Sequence, residues 1–176
     1  NYFPFVSRIG DVGGGLIKGW IASVDEGGGL AFRLFSNATF DKELSVYTSD
    51  DGLDDNTWHH VVWIYNGTGV NGFQCYVGGV NQALLLDRNT LDSTISHLGN
   101  LRMGGIPGFG SINGSIDEVR IWNRILSEQE INASYNNSVY YIFKKIIPIY
   151  KYKSNRQNNK NQFCFIYKNW GRNKYG

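Results

Sequence analysis

The chain has 176 residues, 41% hydrophobic, 15% aromatic and 18% charged, which is enough for one domain with a real core. The net charge of +2 hides a split: residues 1–138 hold 8 Lys+Arg against all 15 Asp+Glu, a balance of −7, while residues 139–176 hold the other 9 Lys+Arg and no acid. No stretch approaches the ~20 apolar residues of a membrane helix, so a helical span is excluded, and the acidic balance of residues 1–138 argues against nucleic acid as their ligand.

Glycine is abundant (22) and proline scarce (3), and the glycines separate short aromatic and β-branched runs, which predicts an all-β architecture. Leu16–Val24, between Gly13–Gly15 and Gly27–Gly29, reads as a strand. Leu30–Phe35 alternates, with Leu30, Phe32 and Leu34 on one face and Ala31, Arg33 and Phe35 on the other. Glu43–Thr48 is another short strand, followed by an acidic loop with Asp50, Asp51, Asp54 and Asp55. Trp58–Tyr65 is the strongest strand, and Phe73–Val77 returns beside it as a hairpin across Asn66–Gly72. Asn81–Leu86 and Leu98–Met103 follow, then a glycine-rich loop from Gly104 to Gly114.

The segment Asn113–Tyr135 reads as turn, strand and capped helix. Asn113-Gly114 is a turn dipeptide. Ile116–Trp122 alternates, with Asp117, Val119 and Ile121 opposite Glu118, Arg120 and Trp122. Ser127 followed by Glu130 is a capping box that opens a short helix. Turn signals every ~8–12 residues fit a β-sandwich. Residues 139–176, rich in Lys, Asn, Tyr, Ile and Phe, are read as a basic low-complexity tail without a packed core.

Several candidate chemistries fail on spacing. His59 and His60 are neighbours and face opposite ways on a strand, so they cannot chelate one metal together. No His/Cys spacing resembles a zinc site. Cys75 and Cys164 lie in different segments, and no disulfide framework is expected. There is no nucleophile elbow and no P-loop, and Asp117 and Glu118 point apart, so they make no acid–nucleophile pair. No catalytic and no cofactor-binding residue is assigned. Sequons at Asn37, Asn66, Asn113, Asn132 and Asn136 offer glycosylation sites to an exporting host.

The landmarks together resemble a known family. Trp58-His59-His60-Val61-Val62 with Tyr65 and Asn66-Gly67 is similar to the W-x-H-V-A…Y-D-G strand and turn of laminin-G-like domains. Tyr76-Val77-Gly78-Gly79 resembles their Y-V-D-G hairpin, with Gly78 in place of Asp. Leu101-Arg102-Met103-Gly104-Gly105 resembles L-x-I-G-G. Gly114–Arg124 matches G-x-I-D-E-V-R-I-Y-N-R, and Leu126-Ser127 through Glu130-Ile131 to Tyr135 completes the ending. The chain thus resembles the laminin-G-like, pentraxin-like branch of the concanavalin A-like lectin/glucanase superfamily over roughly residues 5–135.

The resemblance implies an antiparallel jelly-roll β-sandwich over residues 1–138, with its N-terminal strand missing, a short C-terminal helix and a separate tail over 139–176. It implies a non-catalytic binding or adhesion module of an extracellular or cell-surface protein, one domain of a larger parent, with glycan or extracellular protein as ligand. A glycan-active enzyme of the same superfamily and a structural spacer are the alternatives. It implies a structural Ca²⁺ at Asp117, with partner ligands on the N-terminal strand; the Asp50–Asp55 loop is a second calcium candidate. Tyr47, Trp63 and Trp122 are the expected ligand-binding aromatics, with Trp20 beside them, if they lie on the concave sheet.

Overall fold

The computed structural model describes residues 2–11, 17–36, 42–49, 52–53, 55–96, 99–108 and 110–136. The basic tail, Asp50, Asp51, Asp54, Cys164 and Asn37 lie outside these residues.

Six strands form one antiparallel sheet: β1 (Tyr2–Asp11), β2 (Ile17–Asp25), β3 (Leu30–Phe35), β4 (Glu43–Thr48), β8 (Leu84–Asn89) and β9 (Leu101–Met103), in the order β8-β4-β3-β2-β1-β9. Three more, β5 (Val61–Tyr65), β6 (Phe73–Val77) and β7 (Val80–Asn81), form a second sheet in that order. A two-stranded ribbon of β10 (Gly105–Ile106) and β11 (Gly110–Ser111) stands in the expected glycine-rich loop.

The alternation along each strand builds the core. Phe5, Trp20, Phe32, Leu34 and Val46 from the large sheet meet Val61, Trp63, Tyr65, Phe73 and Cys75 from the small one. This is a β-sandwich of the jelly-roll type, with aromatic rings at its centre: Phe32 lies 5.9 Å from Trp20, 5.6 Å from Trp63 and 5.7 Å from Phe73. Burial pushes the Cys75 thiol well above its usual pKa, so it acts as a small core hydrophobe.

β1 is a strand that the sequence pattern alone does not declare. Tyr2–Asp11 is an inner strand, paired with β2 along its length and with β9 through Val6, Ser7 and Arg8. Its sequence hides it because a register shift between Pro4 and Val6 interrupts the alternation. Phe5 and Val6 both enter the core as a result.

The expected strand over Ile116–Trp122 is not formed. Glu118 has φ 51°, a left-handed conformation that turns the chain, and its N–H is bonded to Asp117 Oδ1 at 2.8 Å rather than to a neighbouring strand. The turn shifts the phase of the pattern. Ile116, Val119 and Ile121 pack on the core between the sheets, and Asp117 and Glu118 are both exposed.

The helix α1 (Glu128–Tyr135) forms as expected. Ser127 Oγ accepts from the Glu130 N–H and the Glu130 carboxylate accepts from the Ser127 N–H, a complete capping box. Leu126 and Ile131 cover Val62, Ile64 and Tyr76 on the outer face of the small sheet, with Trp122 beside them. The helix meets the β6–β7 turn. Gly78 and Gly79, at φ 57° and 80°, make the two-residue turn that joins these strands, and a Cβ on Gly79 would collide with Asn132 Oδ1.

Arg124 closes the front of α1, with Nη1 and Nη2 donating to the two Glu130 oxygens at 2.9 and 2.7 Å. That fork, the capping bonds and the nearby cation hold the Glu130 carboxyl down at about 2, against an ordinary 4.5. A depressed carboxylate stabilises the fold fully above its unfolded value and ceases to do so as pH falls through the folded one. Amide-exchange protection of residues 128–135 should therefore fall between pH 4.5 and about 2. The effect should be under about 1 kcal/mol, because the pair is solvent-exposed. Glu130→Gln should remove this pH dependence; an unchanged acid profile in that variant would refute the assignment.

Candidate functional site

The outer face of the large sheet carries the main concentration of polar side chains held by strands. Antiparallel partners share a face, so the register defines two rows across it. One row runs Ser7, Ile21, Arg33, Ser45, Arg88; the next runs Pro4, Ser23, Ala31, Tyr47, Leu85. Ser7, Ser23, Ala31 and Ser45 are small and buried, so they make a floor. Tyr2, Arg33, Tyr47, Asp87 and Arg88 rise around it, while β10 seals the adjoining part of the face by packing Ile106 on Ile9, Ile21 and Phe35.

A bulge in β8 arms this face. Ser45 is opposite Arg88 and Val46 is opposite Leu86, which leaves Asp87 as an additional residue. Both Asp87 and Arg88 consequently reach the outer side. Ser45 Oγ lies 3.0 Å from Asp87 Oδ2 and 3.3 Å from Glu43 Oε1. Arg33 Nη2 stands 3.8 Å from Asp87 Oδ2, and Arg88 Nε stands 3.2 Å from Glu43 Oε1. The Arg33 guanidinium also lies 4.0 Å from the centroid of the Tyr2 ring.

Burial differs sharply within the cluster. Glu43 is 2% exposed, whereas the Asp87 and Arg88 side chains are 37% and 52% exposed. Desolvation raises the Glu43 carboxyl above its ordinary pKa, against the pull of Arg33 and Arg88. The Ser7 and Ser23 hydroxyls are buried with no hydrogen-bond partner among the described residues.

The expected ligand aromatics separate. Tyr47 stands on this face, half-buried beside Ala31 and Leu85. Trp63 does not: at 1% exposure it is a core residue, because its position in β5 points it between the sheets. Trp20 is likewise buried, stacked on Phe32. Trp122 packs beside α1 on the outer face of the small sheet, away from Tyr47. Sequence reasoning missed Tyr2, Arg33, Glu43, Ser45, Asp87 and Arg88. Glu43, Ser45 and Tyr47 at i, i+2 and i+4 were a usable signal, but the bulge at Asp87 left none.

Asp117 is exposed, and its Oδ1 is engaged in its own turn by the Glu118 N–H. Calcium takes 6–8 oxygen ligands. Among the described residues no three His, Cys, Asp or Glu side chains converge, at Asp117 or elsewhere. Of the acidic loop, Asp55 accepts from the Thr57 N–H and hydroxyl at 2.9 and 2.8 Å and meets His59 Nε2 at 2.8 Å. The hydrogen bond from His59, then those from Thr57, bring its carboxyl to about 2.

His59 and His60 do point apart. His60 is buried, with Nε2 3.2 Å from Ser134 Oγ and its ring 5.7 Å from that of Tyr135, and it ties β5 to α1.

A cleft at one end of the sandwich, lined by Leu34, Tyr65, Leu91 and Ile95 among others, holds about 160 Å³. That is well below the ~300–1,000 Å³ of small-molecule sites, so the sheet face is the better candidate. No helix among the described residues is long and apolar enough to cross a membrane.

A laminin-G family model described as the Concanavalin A-like lectin/glucanases superfamily matches residues 2–132. No curated protein and no solved structure matches the chain.

Proposed function

The chain belongs to the concanavalin A-like lectin/glucanase superfamily, and from that premise we propose that it is a non-catalytic binding module whose outer large-sheet face receives a glycan. The observation that carries this reading is the small-residue floor of Ser23, Ala31 and Ser45, flanked by Tyr2, Tyr47, Arg33 and Asp87. A flat, shallow, mixed aromatic and polar surface suits an extended ligand better than an enclosed small molecule. Extracellular or cell-surface placement within a larger protein accords with the family's usual setting.

A glycan-active enzyme is the second reading, favoured by two carboxylates, Glu43 and Asp87, that flank one hydroxyl. Against it, Glu43 is closed off from solvent and each carboxylate is engaged by a guanidinium.

The test is an oligosaccharide array with the full chain, with and without Ca²⁺, alongside a reducing-end release assay. Tyr47→Ala is expected to weaken binding about tenfold, the effect of one central aromatic contact. Calcium-dependent binding would support the structural Ca²⁺ that the resemblance implies. Released reducing ends that vanish in Asp87→Asn would establish the enzyme instead, and a blank array in both conditions would leave a spacer.

A further inference from the structure

We propose that Glu43 and Asp87 are built-in counter-ions that turn the outer large-sheet face away from polyanionic ligands, such as sulfated polysaccharide, and toward uncharged ones. This rests on the reading of that face as the ligand surface. Residues 1–138 hold eight cationic side chains. Arg33, Lys42, Arg88, Arg120 and Arg124 stand in ion pairs, and Arg8 and Arg102 donate to the carbonyls of Gly99 and Ile9. The register puts Arg33, Arg88 and Arg102, the partner of Ser7, on the face; Arg102 donates to a backbone carbonyl, and the carboxylates that face Arg33 and Arg88 are fixed rather than loose.

Glu43, at 2% exposure, cannot swing into water if a ligand sulfate takes Arg88 from it. It would remain as a buried carboxylate with one of its two nearby cations withdrawn, a costly state. Asp87 is held by Ser45 Oγ at 3.0 Å while it faces Arg33. An incoming anion must displace both acids and also meets their repulsion. A sugar hydroxyl faces no such barrier. It donates to the exposed oxygens of Asp87 and lays its apolar face on Tyr47 or Tyr2. Selectivity here is set by the charges that oppose the wrong ligand as much as by contacts to the right one.

The basic segment 139–176 can bind polyanions on its own account, so the readout must belong to the face. The side-chain Nε–H NMR signals of Arg33 and Arg88 provide it, followed in the full chain during titration with a heparin-derived disaccharide. Wild type is expected to show only weak shifts of these signals. Glu43→Gln and Asp87→Asn are each expected to show saturable shifts, with an apparent affinity about tenfold tighter than wild type. Asp87 is well exposed, so Asp87→Asn keeps the test alive if the buried Glu43→Gln fails to fold. Wild-type signals that titrate as tightly as those of the variants, or variants that stay silent, overturn the inference. Titration with an uncharged oligosaccharide, with Tyr47→Ala as control, tests the ligand-face reading separately. Its failure would leave the anion result readable.

Discussion

Trp63→Ala should cost about 3–5 kcal/mol and leave a chain that is barely folded. The ring is 1% exposed, stands between the sheets and meets Phe32 at 5.6 Å, which in turn joins it to Trp20 and Phe73. No smaller neighbour can fill the void, because close-packed rings on both sheets fix the spacing. Against a domain stability of about 5–15 kcal/mol, this loss is a large fraction of the whole. Trp63→Phe is the informative companion. It keeps an aromatic ring and removes an indole N–H that has no partner among the described residues. That relieves part of the cost of lost volume, so it should cost less than half as much as the alanine variant. Urea unfolding with a fitted slope measures both. A loss below about 1 kcal/mol for Trp63→Ala would mean that the ring is not a central core element.

Gly79→Val should cost about 2–4 kcal/mol and should act first on α1. At φ 80° a side chain costs ~1–2 kcal/mol through its clash with the following carbonyl, and β-branching adds to that. The new Cβ also meets Asn132 Oδ1. That contact alone is cheap to relieve, since the amide is the end of a flexible side chain. The larger consequence is that α1 must lift from the β6–β7 turn, where Tyr135 also lies 3.7 Å from the Cβ position of Gly78. Equilibrium unfolding gives the total, and amide exchange over residues 128–135 gives the location. Equal protection of α1 in Gly79→Val and wild type would sink the docking argument. Asn132→Ala in the Gly79→Ala background should recover part of the loss if the two groups collide.

The two variants probe parts of the fold that the sequence declared with unequal clarity. Leu30–Phe35, Glu43–Thr48 and Phe73–Val77 form strands with the expected ends, because each alternates cleanly between turn residues. Ser127 and Glu130 form the expected capping box because its partners are three residues apart and need nothing else. Asn81–Leu86 divides into β7 and β8, which belong to different sheets, a distinction that local pattern cannot express. The strand at Tyr2–Asp11 was hidden by the break at Pro4, and the expected strand at Ile116–Trp122 was lost to the left-handed turn at Glu118.

The candidate site was less legible than the fold. Of the three expected ligand aromatics, Tyr47 stands on the outer face of the large sheet, Trp63 in the core and Trp122 beside α1. All three are aromatics in or beside apolar runs, and composition does not say which sheet face looks inward. Arg33, Glu43, Asp87 and Arg88 come from three strands separated by up to 55 positions, and only strand order brings them within ion-pair distance.

By itself the sequence determined the class of the molecule: a laminin-G-like sandwich, its principal hairpin, its closing helix and the charge division at residue 138. Those features rest on local periodicity, turn chemistry and short-range capping, which act between residues near in the chain. Tertiary structure alone decided that Tyr2–Asp11 is an inner strand, that Trp63 is core, and that Glu43, Ser45 and Asp87 share one face. These depend on register and on a single bulge between strands distant in sequence, where a shift of one residue moves every side chain to the opposite face.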